Sequence, residues 1–203
     1  MKNVLFFTVI MLQSLIGFAQ QNTLLTKNEN EAILYMREEE KLARDVYDSM
    51  YVKWGGNPFG NIRYSEQVHM DKMKMLITTY SLQDPVVTTK NSHGMFINPT
   101  LQKYYNELAA TGSQSLTAAL KVGAKIEELD IVDLEERIKQ TQNENVINSF
   151  EFLKRASHNH LRAFVRRLKM EGVNYEPVIL NKVSFNKIIK AEKAKGRCKQ
   201  KCD

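Results

Sequence analysis

Cysteine is scarce: only Cys198 and Cys202 occur, both within the last six of 203 residues. No disulfide framework can staple such a chain, so its core must stand on burial. Glycine (9) and proline (4) are also sparse, which excludes a collagenous or loop-rich fold. Strand-like alternation is missing between residues 29 and 171, where the apolar period is helical. What is present is a 43% hydrophobic content, too high for disorder throughout, and length enough for one domain with appendages.

The formal charge of +6 is unevenly spread. From Lys182 onward eight basic residues stand against only Glu192 and Asp203, an excess equal to that of the whole chain. Residues 20–181 are therefore close to neutral, and no nucleic-acid partner is expected. Residues 173–203 read as a basic, solvated extension. At the other end, Met1-Lys2-Asn3 precedes an apolar run from Val4 to Ala19, with small residues at Gly17 and Ala19. This pattern reads as a secretory signal peptide over residues 1–19, too short and interrupted to span a membrane. No cysteine follows it to carry a lipid anchor. Export to the periplasm or the medium is expected, with no transmembrane segment after cleavage. Cys198 and Cys202 can then close a small local disulfide, or act as a thiol pair toward a metal.

Four long helices are expected, over about Asn30–Lys53, Ile62–Tyr80, Ser113–Gln140 and Asn145–Glu171. The first carries the stripe Ala32, Tyr35, Met36, Leu42, Ala43, Val46, Tyr47 and Met50, and stops at the turn-rich Trp54–Gly60. Short links make the first and second helices, and the third and fourth, antiparallel neighbours. About thirty residues separate the two hairpins and hold a short helix from Pro99 to Ala110. Two hairpins joined by one long crossover describe an all-α, ferritin-like four-helix bundle over residues 29–172.

Stepping around each helix at about 100° per residue turns several polar groups inward. They are Glu39 on the first helix, Glu66 and His69 on the second, Glu127 and Asp130 on the third, and His160 on the fourth. Glu38 and Glu128 point outward on the same count, Glu40 lies on the flank, and Glu151 and His158 lie at the edge. Burying an unpaired carboxylate costs several kcal/mol, so four in one core need compensating positive charge. A pair of divalent metal ions supplies that charge. Four carboxylates and two imidazoles suit a carboxylate-bridged dinuclear site. Plainer readings stand beside it: Glu39 can belong to a solvated run, Arg37-Glu38-Glu39-Glu40-Lys41, and the carboxylates can pair with Arg44, Arg162 or Arg166.

Four separated segments carry a family resemblance: Glu38-Glu39-Glu40-Lys41-Leu42-Ala43-Arg44-Asp45-Val46-Tyr47, Ser65-Glu66-Gln67-Val68-His69-Met70, Ile126-Glu127-Glu128-Leu129-Asp130-Ile131 and Asn159-His160-Leu161-Arg162-Ala163-Phe164. Together, over about Glu31 to Gly172, the chain resembles the bacterial and archaeal domain of unknown function 2202. The resemblance implies a ferritin-like four-helix fold with a dinuclear metal site, and no established activity. The fourth helix departs from the common ferritin-like pattern. Ser157 stands three residues before His160 and Arg155 before His158, so neither completes a second Glu-x-x-His. Asp130 takes the place of the missing carboxylate, with Glu151 in reserve.

Carboxylate and imidazole donors favour iron, with manganese as the alternative, and iron brings oxygen or peroxide as a reaction partner. One reading is therefore a di-iron ferroxidase, or an oxygen- or peroxide-reducing enzyme. In it Glu66 or Glu127 bridges the ions, and His69 and His160 are terminal ligands. Tyr35 and Tyr47 read as core packing rather than as radical or proton carriers. The alternative is a non-catalytic envelope protein whose metal stabilises the bundle. N-terminal sequencing of protein from the producing cell should begin close to Gln20. Intact Met1 in the cytoplasmic fraction would overturn the export expectation.

Overall fold

The structure, a computed structural model, describes residues 24–196. The expected signal peptide and the Cys198–Cys202 pair lie outside the described residues. Within them the chain is all-helical. Helix α1 (Lys27–Trp54) starts in a capping box: the Thr26 hydroxyl accepts from Glu29 N, and the Glu29 carboxylate accepts from Thr26 N. It stops at Gly55, whose φ of 65° only glycine adopts readily. Helix α2 (Phe59–Thr79) returns along α1. Two shorter helices follow, α3 (Pro85–Thr88) and α4 (Pro99–Gly112), each with proline in its first turn and an Asp84 or Asn98 cap. Ser115 caps α5 (Leu116–Lys139), Asn143 caps α6 (Glu144–Met170), and α7 (Lys182–Gly196) ends the described chain. No described helix is long and apolar enough to cross a membrane.

Side-chain pairs fix the direction of each packing. Arg37 reaches the Met70 carbonyl while Arg63 reaches Asp48, so α1 and α2 are antiparallel. Arg137 stacks on Tyr35 and Glu127 meets Tyr47, which makes α5 antiparallel to α1. Ser65 meets His160 and Tyr80 meets Asn143, which makes α6 antiparallel to α2. Helices α5 and α6 also pair as a hairpin. It follows that α2 and α5 run in the same direction, and the chain between them must travel back along the bundle. The crossover with α3 and α4 does this, and α4 packs against α1 and α5 on the way.

The apolar interior is in two parts. One holds Val46, Tyr47, Phe59, Leu120, Leu161 and Phe164. The other holds Ile33, Met36, Met73, Ile77, Leu134 and Phe150. Between them, on all four long helices, lies a buried polar layer. Helices α5 and α6 approach so closely beside it that a Cβ on Gly123 would sit 2.2 Å from a Phe164 ring carbon. That ring is itself held between Tyr47 and Phe59.

Two carboxylates expected to face water are buried. Glu38 accepts from the backbone N–H groups of Ile97 (2.6 Å) and Asn98 (3.0 Å), which ties the crossover to α1. Glu128 accepts from Val178 N (3.0 Å), Ile179 N (2.7 Å), Leu180 N (2.8 Å) and the Tyr175 hydroxyl (2.7 Å). The reason is that the outer faces of α1 and α5 are not outer faces: the crossover covers one and the segment after Gly172 covers the other. The whole run Arg37-Glu38-Glu39-Glu40-Lys41 is buried, so it is not a solvated charge run. Lys41 donates to Asp45 (2.5 Å) and to the Ser92 carbonyl (2.8 Å), and Arg44 is likewise committed to Asp45. The basic segment opens as α7, which buries Phe185 and Ile188 in the core.

Glu128→Ala would leave three backbone donors without their carboxylate. A loss of about 3 kcal/mol is expected, with faster proteolysis between Val173 and Asn181 as the local sign. Unchanged cleavage there would contradict the clasp.

Candidate metal centre

Helix α2 supplies the centre of the polar layer. Glu66 and His69 stand one turn apart on its inner face, with His69 Nδ1 2.7 Å from Glu66 Oε2. The same imidazole nitrogen is 3.0 Å from Glu40 Oε2 on α1. The other Glu66 oxygen, Oε1, is 2.9 Å from His160 Nδ1 on α6, which lies 3.4 Å from Glu127 Oε2 on α5. The result is an alternating row, Glu40, His69, Glu66, His160, Glu127, drawn from all four long helices. The imidazoles stack with centroids 5.5 Å apart. Their far nitrogens converge on one hydroxyl: Ser65 Oγ lies 3.0 Å from His160 Nε2 and 3.4 Å from His69 Nε2. Tyr47 closes the row by donating to Glu127 Oε1 at 2.6 Å.

Read as ligand sets, the row is two trios, Glu40-Glu66-His69 and Glu66-Glu127-His160, each with its donor atoms within 4.8 Å of one another. Glu66 belongs to both and offers a different oxygen to each side. Four of the expected residues are therefore brought together: Glu66, His69, Glu127 and His160. Glu39 and Asp130 are buried at the margin and enter neither trio. Glu151 pairs with Lys154 at 2.7 Å instead of joining the row.

Sequence reasoning missed Glu40. A helix wheel drawn for α1 alone puts it on the flank, whereas an antiparallel hairpin folded about Trp54–Gly60 brings residue 40 level with residue 69. Another trio, Asp45, Asp48 and His93, also has ligand spacing. Its carboxylates are taken by Lys41, Arg44 and Arg63, which makes it an ion-pair cluster.

The family model of the uncharacterised protein domain DUF2202 matches residues 29–192. The chain belongs to this family. The uncharacterised protein MJ0754 of Methanocaldococcus jannaschii is 45% identical over 172 residues, which cover 85% of this chain and 92% of that protein. The crystal structure of the hypothetical protein MJ0754 from Methanococcus jannaschii superposes with a TM-score of 0.79 at 46% identity, over 82% of this chain and 94% of that one.

The electrostatics of the DUF2202 core test whether the row suits a metal. Burial works against ionising Glu66, yet His160 and His69 outweigh it and hold the carboxyl well below its usual range. Burial also opposes charging the imidazoles, but Glu40 and Glu66 push His69 up to about 12, and Glu66 and Glu127 push His160 up to about 10. For the remaining carboxylates burial wins: it raises Glu127 too, although His160 and Tyr47 work in the other direction. Burial, with Asp133 and Asp130 beside it, raises Glu39 well above the ordinary value, and burial raises Glu40 likewise. Burial and the Glu127 charge raise Asp130 to about 8. Both Glu39 oxygens, Glu40 Oε1 and Asp130 Oδ1 find no hydrogen-bond donor among the described residues. Orphaned buried oxygens beside two imidazoles are a donor set for hard or borderline divalent cations, and the two trios can hold such ions.

Without a cation the layer must carry protons, and that sets a pH dependence. Folded Asp130, at about 8 against an ordinary 3.8, keeps a proton that the unfolded chain releases. Its contribution is complete at low pH and is lost as pH climbs through that interval. His69 and His160 act with the same sign from their ordinary 6.5 upward. Chelator-treated protein should lose several degrees of melting temperature between about pH 5 and pH 9, measured by calorimetry. A flat or rising profile would refute this account of the layer.

Proposed function

We propose that the chain is an exported, ferritin-like metalloprotein. Its buried row binds two metal ions, iron in preference to manganese, and works in oxygen or peroxide reduction or in ferrous iron oxidation. The observation that carries this reading is Glu66, one carboxylate shared between two Glu/His trios on four helices. The two antiparallel hairpins and their long crossover support the ferritin-like part. In this reading Glu66 would be shared between the two ions, with His69 and Glu40 holding one side and His160 and Glu127 the other. Glu39 and Asp130 stand by as further carboxylates. Tyr47 fixes the orientation of Glu127, and the apolar clusters at both ends keep bulk water from the layer. Iron held there would supply redox chemistry toward oxygen or peroxide.

A second reading, metal as a purely structural element of a non-catalytic envelope protein, draws on the burial of every donor in the row, none more than 8% exposed. Aerobic addition of ferrous iron separates the two. Repeated consumption of oxygen or peroxide supports an enzyme, and a single stoichiometric uptake supports the structural role.

Metal analysis of protein purified without chelator tests both readings. Glu66→Ala and His160→Ala should each lower metal per chain at least about fivefold, because a shared or terminal ligand is gone. Glu38→Ala and Glu128→Ala should keep their metal while losing stability through the freed backbone donors. Equal metal content in all four variants would remove the metal reading.

A further inference from the structure

Helix α5 has a second working face. Gly123, Glu127 and Asp130 look into the polar layer, while Val122, Ile126 and Leu129 form the floor of a separate cavity of about 520 Å³. Its walls are α4, through Leu108, and the segment after Gly172, through Val178 and Ile179. This volume lies within the range of small-molecule sites. The second of these walls is fixed: Glu128, fully buried, holds Tyr175 and the amides of residues 178–180 and so keeps that segment in place at the edge of the cavity. A polar clasp therefore defines an apolar hollow.

The rim is charged in a particular way. Lys121 and Lys125, one turn apart on α5, line the cavity and enter no ion pair among the described residues. The two acids on the rim have their own cations: Glu176 pairs with Lys182 at 2.9 Å and Glu107 with Lys103 at 3.8 Å. Two uncommitted ammonium groups over an apolar floor attract an anion with a hydrocarbon body. The same charges repel the basic end of this chain, which argues against its own tail as the occupant.

We propose that this cavity binds a small amphiphilic anion, a carboxylate on a single medium-length hydrocarbon chain, with its head at Lys121 and Lys125 and its body over Val122 and Ile126. The site is independent of the metal reading.

Calorimetric titration of the full chain with decanoate, decan-1-ol and decylamine, each below its aggregation threshold, tests it. Decanoate should bind saturably, at least tenfold more tightly than the alcohol or the amine, and should slow hydrogen exchange at the 178–180 amides. Lys121→Glu with Lys125→Glu, a surface change that leaves the core intact, should weaken decanoate at least tenfold. Val122→Trp, checked for folding by circular dichroism, should abolish binding by filling the cavity. Three results would each overturn the proposal: no saturable binding of decanoate, equal affinity for the amine or the alcohol, or unchanged decanoate affinity in the double lysine variant.

Discussion

The bundle is organised around the cost of keeping carboxylates out of water. Five of them, Glu39, Glu40, Glu66, Glu127 and Asp130, share the middle of the interior with two imidazoles. Carboxylates and imidazoles alternate along the row, and the two imidazoles that flank Glu66 are what let it stay ionised where burial alone would neutralise it. The four long helices are arranged about this layer. Four helices must present their polar positions at one height, and apolar clusters must seal the layer above and below. The antiparallel packing of each neighbouring pair brings those heights into agreement.

A second use of carboxylates runs along the outside of the same helices. Glu38 and Glu128 are neighbours in sequence of Glu39 and Glu127, but they point about 100° away and meet backbone rather than imidazole. Each gathers N–H groups from a segment with few backbone bonds of its own, the end of the crossover in one case and the stretch before α7 in the other. Adjacent glutamates therefore divide the labour, one inward to the layer and one outward to a covering segment. The pairing explains why a cluster of charged residues on α1 can be buried almost without exception.

The all-helical class and the four long helices were legible from apolar period and capping residues, and the inward set Glu66, His69, Glu127 and His160 from helical phase. What could not be read from single helices was anything that depended on a neighbour outside the four. Glu38 and Glu128 were assigned to water because a wheel knows nothing of a crossover or a C-terminal segment laid over it. Glu40 was assigned to a flank because its partner, His69, belongs to another helix. Glu39 and Asp130 were placed in the interior by phase and are buried there, beside the row of Glu40, His69, Glu66, His160 and Glu127 rather than within it.

The position of the polar layer midway along four helices also restricts how such a chain can vary in length. One residue inserted into α1, α2, α5 or α6 between the layer and the nearer loop turns everything beyond it by about 100° and shifts it by about 1.5 Å. Either the layer or the apolar cluster on that side would then lose its facing partner. Insertions of about seven residues, close to two full turns, restore the phase, and the crossover can lengthen between its anchor points on α1 without turning any long helix. Divergence in length among related chains should therefore accumulate in the crossover between Asp84 and Ser92, which hold it to α1, while the spacing of the layer from each hairpin turn stays fixed.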